Sequence, residues 1–190
     1  MFWFSFFYTL ALFAVQLIFK NHRGRLRFFY FLAYVGAILV VSVAYILLVY
    51  FQYIDWTGGD AITKYFVPPH RGWGYVFGYY FVRFLLYYLI SFAVSVFFVL
   101  FAMFLSKKFG GVFFRPEEPF LGAISIFLLG HRDFGYWWII YALLVFGLAL
   151  AGSFVKRKRL GDGARFSFYW LWLPSSLLVI ILRGLIFKLL

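Results

Sequence analysis

A chain of 190 residues that is 66% hydrophobic and 27% aromatic cannot hide its apolar surface in a water-soluble fold, because too much of a domain this size is surface. Lipid is the solvent such a composition requires, and the net charge of +12 falls between apolar runs, which is a topology pattern rather than a nucleic-acid footprint. Cysteine is absent, which excludes disulfides, thiol catalysis and thiolate metal sites.

Six apolar segments follow one another: 2–19, 28–54, 74–105, 119–130, 135–155 and 168–190. A crossing needs roughly 20 residues at 1.5 Å each. The first run lacks a basic leader region and a small-residue cleavage site, so it reads as a retained span. The third is long for one upright crossing. It is expected to hold an interfacial lead-in, "WGYVFGYYFVR", and then a span over 84–106, with Arg83 near the headgroups. The fourth is short, and three forms suit it: a short crossing, a tilted helix in the bundle core, or a re-entrant segment.

Charge separates these forms. Lys20, Arg23, Arg25 and Arg27 follow segment one; Lys107, Lys108 and Arg115 follow segment three; Lys156, Arg157, Lys158, Arg159 and Arg165 follow segment five. Loops two and four carry only Lys64, Arg71 and Arg132. Such alternation requires segment four to cross, and the positive-inside bias then places the odd loops in the cytoplasm and both termini outside. The fold expected is all-α: a single integral membrane domain, 1–190, with six helices in a cytoplasmic or inner membrane.

Few residues carry chemistry. His22, His70 and His131 lie far apart without ligand spacing, so neither a metal nor another cofactor is expected. Glu117 and Glu118 follow Pro116 at the mouth of segment four, where acids meet the positive end of a helix dipole. They read first as a helix start, balanced by Lys107, Lys108 and Arg115, and alternatively as a cation-binding or acid–base group. Asp55 and Asp60 bracket "WTGG" in loop two and read as turn residues, with a carboxylate pair as the alternative. "KRKRLGDGAR" places Asp162 between glycines in a loop suited to anionic lipid. Gly147, Ala149, Ala151, Gly152 and Ser153 offer segment five a close-packing face.

From Gly110 onward the order "GGVFFRPEEPFLGAISIFLLGH", "YWWIIYALLVFGLALAGSFVKRKR" and "RFSFYWLWLP" resembles the C-terminal membrane half of the prepilin (type IV leader) peptidases. That resemblance implies a membrane aspartyl peptidase with two catalytic acids. Glu117 or Glu118 would stand in place of the acid of the family's Gly-x-Gly-Asp motif, and Asp55, with Asp60 beside it, in place of the first aspartate. The Gly-x-Gly-Asp motif itself is absent, as is the cysteine-rich loop of many members.

Two functions are therefore expected. The first is a structural or accessory subunit of a membrane complex, with lipid, anionic lipid at the basic loops and other membrane proteins as partners. The alternative is a divergent peptidase using Glu117, Glu118, Asp55 and Asp60. The scarcity of charge within the spans favours the subunit.

Charge alternation makes a direct prediction about topology. In intact cells a Lys158→Cys variant should be shielded from an impermeant thiol reagent, and a Thr63→Cys variant should label; the reverse pattern would end the six-span arrangement.

Overall fold

The computed structural model describes residues 1–19, 26–108, 114–135, 137–160 and 168–189. Among these residues the secondary structure is helical throughout. Helix α1 is Phe2–Ile18, α2 Leu26–Gly58, α3 the single turn Ala61–Lys64, α4 Trp73–Tyr80, α5 Leu86–Lys108, α6 Glu118–Leu128, α7 Trp137–Leu160 and α8 Trp172–Leu189. A π-turn, Phe81–Leu85, joins α4 to α5, and 3₁₀ turns occupy Arg132–Phe134 and Phe168–Trp170. Three runs are long and apolar enough to cross a membrane: Leu26–Gly58, Trp73–Lys108 and Phe168–Leu185. Three shorter apolar helices accompany them: Phe2–Ile18, Glu118–Leu128 and Trp137–Gly152.

Side-chain polarity in this bundle is inverted relative to a soluble protein. The buried face of α1 is Ser5, Thr9, Leu12 and Gln16, which share one stripe of the helix. Its outer face carries Trp3, Phe7, Leu10 and Leu17. Ser91 and Ser95 of α5 and Ser175 and Ser176 of α8 are likewise buried, while Leu39, Val43, Phe97, Phe101, Leu143 and Phe146 point outward. Only an apolar solvent makes that distribution favourable, and each interior hydroxyl then needs a partner. Ser5 donates to the carbonyl of Leu128 at 2.7 Å, and Tyr8 to that of Ala33 at 2.6 Å. Ser95 donates to the carbonyl of Phe92 at 2.8 Å and pairs with the Tyr34 hydroxyl at 2.5 Å.

Two segments, the third and the fifth, differ from their sequence expectation, and the fourth takes one of the three forms open to it. The third is one unbroken helical run rather than a lead-in and a span. No turn signal follows Gly78, and the π-turn lets the chain continue past Arg83, whose guanidinium lies 4.2 Å over the Tyr79 ring and donates to its hydroxyl. The fourth is a core helix: from Glu117 to Gly130 every residue except Phe120 is buried. It packs against α1, α2, α5 and α8, so a helix of 11 residues, about 16 Å, never has to match a bilayer on its own. The fifth continues through the KRKR cluster to Leu160, because Lys and Arg are good helix formers and suit a helix C-terminus. Its packed face is Tyr141, Val145 and Ala149. Of the small residues expected to pack internally, Ala149 lies on that face, while Gly147 faces open space.

Helices α1 and α8 run antiparallel: Phe2 lies against Gly184 at one end, and Gln16 bonds the Tyr169 carbonyl at the other. Helix α2 and the α4–α5 run are 33 and 36 residues long, about 50 Å each, well beyond the roughly 30 Å of hydrocarbon in a bilayer. Their far ends form a hairpin with its own small core of Val49, Val67 and Val76. Tyr53 stacks on Trp73 at 4.3 Å, and Trp56 packs on Tyr79 at 5.1 Å.

Gly130, just past the end of α6, packs closely on α5, where a Cβ would come within 2.6 Å of the Ser91 Cβ. Gly130→Ala should therefore lower stability by about 1–3 kcal/mol through overpacking. Gly147→Ala, in open space, should shift it by no more than about 0.5 kcal/mol. Thermal midpoints of the purified variants in detergent check both values.

Candidate functional site

The glutamate pair stands where the core helix begins. Glu117 is the N-cap residue of α6, and Glu118 and Pro119 fill its first turn. Both acids are buried, at 2% and 1% exposure. The reason differs for the two. One Glu118 oxygen accepts the Arg115 amide at 3.1 Å, while the Glu118 amide donates back to the Arg115 carbonyl at 3.1 Å. Its other oxygen accepts the Tyr169 amide at 3.0 Å. A carboxylate taking backbone N–H groups at a helix N-terminus replaces part of the hydration that burial removes.

Tyr169 gathers the remaining polar groups. Its carbonyl accepts the Gln16 side-chain amide from α1, and its hydroxyl lies 3.1 Å from that of Tyr30 on α2. The Gln16 Oε1 is buried and has no hydrogen-bond partner. The Glu117 carboxylate lies within electrostatic range of the Tyr30 hydroxyl but makes no hydrogen bond or ion pair among the described residues. One end of the bundle thus holds a buried cluster of Gln16, Tyr30, Glu117, Glu118 and Tyr169, drawn from α1, α2, the start of α6 and the turn before α8.

The loop-two acids are elsewhere. Asp55 lies on the exposed last part of α2, and Asp60 is the exposed N-cap residue of α3. The Asp60 carbonyl accepts the Thr63 amide at 3.0 Å and the Thr63 hydroxyl at 2.8 Å, which is turn chemistry. Gly59 is required there, since a Cβ would fall 2.9 Å from the Asp55 carbonyl oxygen. From Tyr30, which faces Glu117, to Asp55 is 25 residues of one helix, about 37 Å. The structure therefore brings Glu117 and Glu118 together and places Asp55 and Asp60 far from them. Asp162 lies outside the described residues.

At the other end of α6 a smaller polar turn closes the bundle. The Nδ1 of His131 accepts the Asp133 amide at 3.3 Å and lies 3.1 Å from the Asp133 carboxylate. Burial holds the imidazole below its usual pKa of 6.5, against the opposing pull of that carboxylate. Arg183 donates to the Asp133 carbonyl at 2.7 Å, tying the turn to α8. No cluster of three or more His, Cys, Asp or Glu suited to a metal ion occurs among the described residues.

Sequence reading found the two glutamates but not Gln16, Tyr30 or Tyr169. One signal was present: Ser5, Thr9 and Gln16 are polar positions on a single stripe of an otherwise apolar segment. Tyr30 and Tyr169 had none, being two aromatics among many.

The two acids should separate on substitution. Glu118→Ala leaves the Arg115 and Tyr169 amides without their acceptor, at about 1–3 kcal/mol for the buried Tyr169 donor and less for the part-buried Arg115 one. Glu118→Gln keeps one acceptor oxygen and should lose less. Glu117→Gln removes only a charge at the helix start, about 0.3–1 kcal/mol. Equal midpoints for Glu118→Ala and Glu117→Gln in thermal unfolding would contradict this division. No family model, curated protein or solved structure matches the chain.

Proposed function

We propose that this chain is a structural or accessory subunit of a membrane complex, without catalytic activity of its own. The observation that carries the reading is the use of Glu118. A buried carboxylate whose oxygens accept the Arg115 and Tyr169 amides is engaged in holding a helix start and a turn, as a structural group is. The distance between the acids supports the same reading. General acid–base hydrolysis needs two carboxylates close enough to share a water. About 37 Å of α2 separates Asp55 from the residue that faces Glu117. Partners have a surface to meet: the hairpin exposes Tyr50, Phe51, Ile54, Trp73 and Phe77 beyond its small core.

Orientation follows from charge. The basic residues cluster in sequence where segments one, three and five end and segment four begins, so the glutamate end faces the cytoplasm, both termini lie outside, and anionic lipid gathers at this end. A divergent peptidase remains the second reading. What favours it is Glu117, a buried acid at the mouth of a core helix whose carboxylate has no hydrogen bond or ion pair among the described residues.

Purification from native membranes in mild detergent, read by mass spectrometry, tests the two. The subunit reading expects one or more membrane proteins in fixed ratio to this chain, equally with the wild type and Glu117→Gln. A chain that purifies alone and cleaves a leader peptide, with cleavage lost in Glu117→Gln, would overturn it in favour of the peptidase.

A further inference from the structure

Beside the buried acids, on the outer surface of the same end, lies a groove of about 400 Å³ between α2, α5 and the start of α6. That volume falls within the range of small-molecule sites, about 300–1,000 Å³. Its apolar lining is Met103, Phe114, Pro119 and Phe120, and its rim carries Arg27 from α2 and Arg115 from the stretch before α6. The walls are fixed from behind. Phe120 packs edge-on against Phe31 at 5.7 Å, and Phe114 lies among Phe98, Phe168 and Trp172 at 5.4 to 6.4 Å. The Ser106 hydroxyl reaches the Phe114 carbonyl at 3.4 Å.

Both guanidiniums are exposed, and neither is hydrogen-bonded or ion-paired among the described residues. Glu117 and Glu118 are near in sequence but turned into the bundle, and they do not line the groove. Lys107 and Lys108 end α5 just beyond Met103 and Ser106 and add to the positive potential. An unpaired pair of arginines above an apolar trough, at the end of helices solvated by lipid, is complementary to one kind of molecule: an anionic amphiphile.

We infer that this groove seats one anionic phospholipid, with its phosphodiester between Arg27 and Arg115 and an acyl chain along Met103, Phe114 and Phe120. Guanidinium forks match phosphate oxygens bidentately, and the apolar floor gives the chain a place out of the bulk bilayer. The inference deepens the proposal that anionic lipid gathers at this end by assigning it a particular site.

Native mass spectrometry of the detergent-purified protein, titrated with phosphatidylglycerol or phosphatidylcholine, tests it. The wild type should retain one phosphatidylglycerol in preference to phosphatidylcholine, and Arg27→Gln with Arg115→Gln should reduce that preference about tenfold or more. Arg27→Lys with Arg115→Lys should keep part of it. Met103→Trp fills the trough without touching either charge and should also release the lipid, which covers the case in which the double variant does not fold. Retained preference in the glutamine pair or in Met103→Trp would overturn the site while leaving the general attraction of basic loops for anionic lipid intact. No preference in the wild type would remove both. Displacement of the bound lipid by millimolar inorganic phosphate would make this a free-phosphate site and overturn the lipid assignment.

Discussion

The backbone of Tyr169 is the point on which the bundle turns. It lies in a 3₁₀ turn where the chain enters its last helix, in a run apolar enough to sit in a membrane. Irregular backbone at that depth persists only when protein groups replace the water it lacks. Glu118 takes the amide, Gln16 supplies a donor for the carbonyl, and Tyr30 meets the hydroxyl. One residue is thereby held by α6, α1 and α2 together. The consequence extends along the chain. With Tyr169 fixed, the Trp172 carbonyl is placed to accept the Ser125 hydroxyl at 3.4 Å and that of Tyr141 at 3.2 Å, which brings α6 and α7 to the start of α8.

This dependence also explains the form of α6. A helix of 11 residues is too short to span a full bilayer by itself or to gain much from propensity alone. Surrounded by four other helices, it needs neither. Its small residues permit the close approach that makes it a core: Gly122 admits the rings of Phe98 and Trp172, and Gly130 admits Ser91. Between helices in lipid, packing and polar contacts have to supply what the hydrophobic effect supplies in water. The bundle accordingly buries serine, threonine and glutamine side chains beside its apolar core and leaves many Phe, Leu and Val side chains facing outward.

The sequence made the outline legible for a physical reason: an apolar run long enough for a membrane has few alternatives. The second segment, read as 28–54, is a helix over Leu26–Gly58, and the first and last shift by only a few residues. At 119–130 charge alternation argues for a crossing, but no local pattern tells a lipid-facing span from a core helix, since both are apolar on every face. Nor could it carry the KRKR cluster into α7, because Lys and Arg suit both a loop and a helix end. The site was half legible. Two adjacent acids after a proline point to a helix start, which is where Glu117 and Glu118 are. Their burial depends on Tyr169, 51 residues on from Glu118, and on Gln16, a further long-range partner of that turn. No local pattern encodes such meetings.

The neighbouring glutamates show how one helix start divides two roles. Burial of a carboxylate is costly unless donors replace its hydration. Glu118 has those donors in two backbone amides; the carboxylate of Glu117, a residue equally buried, has no hydrogen bond or ion pair among the described residues. Stability therefore rests chiefly on Glu118, while any chemistry at this end falls to Glu117, with the Tyr30 hydroxyl as its near neighbour. A lone carboxylate can hold a proton or a cation, but hydrolysis by a carboxylate pair needs a second at the same depth. Asp55 and Asp60 are at the hairpin, and Glu118 is committed to backbone. With those groups occupied or distant, the glutamate end of the bundle serves first to join four helices.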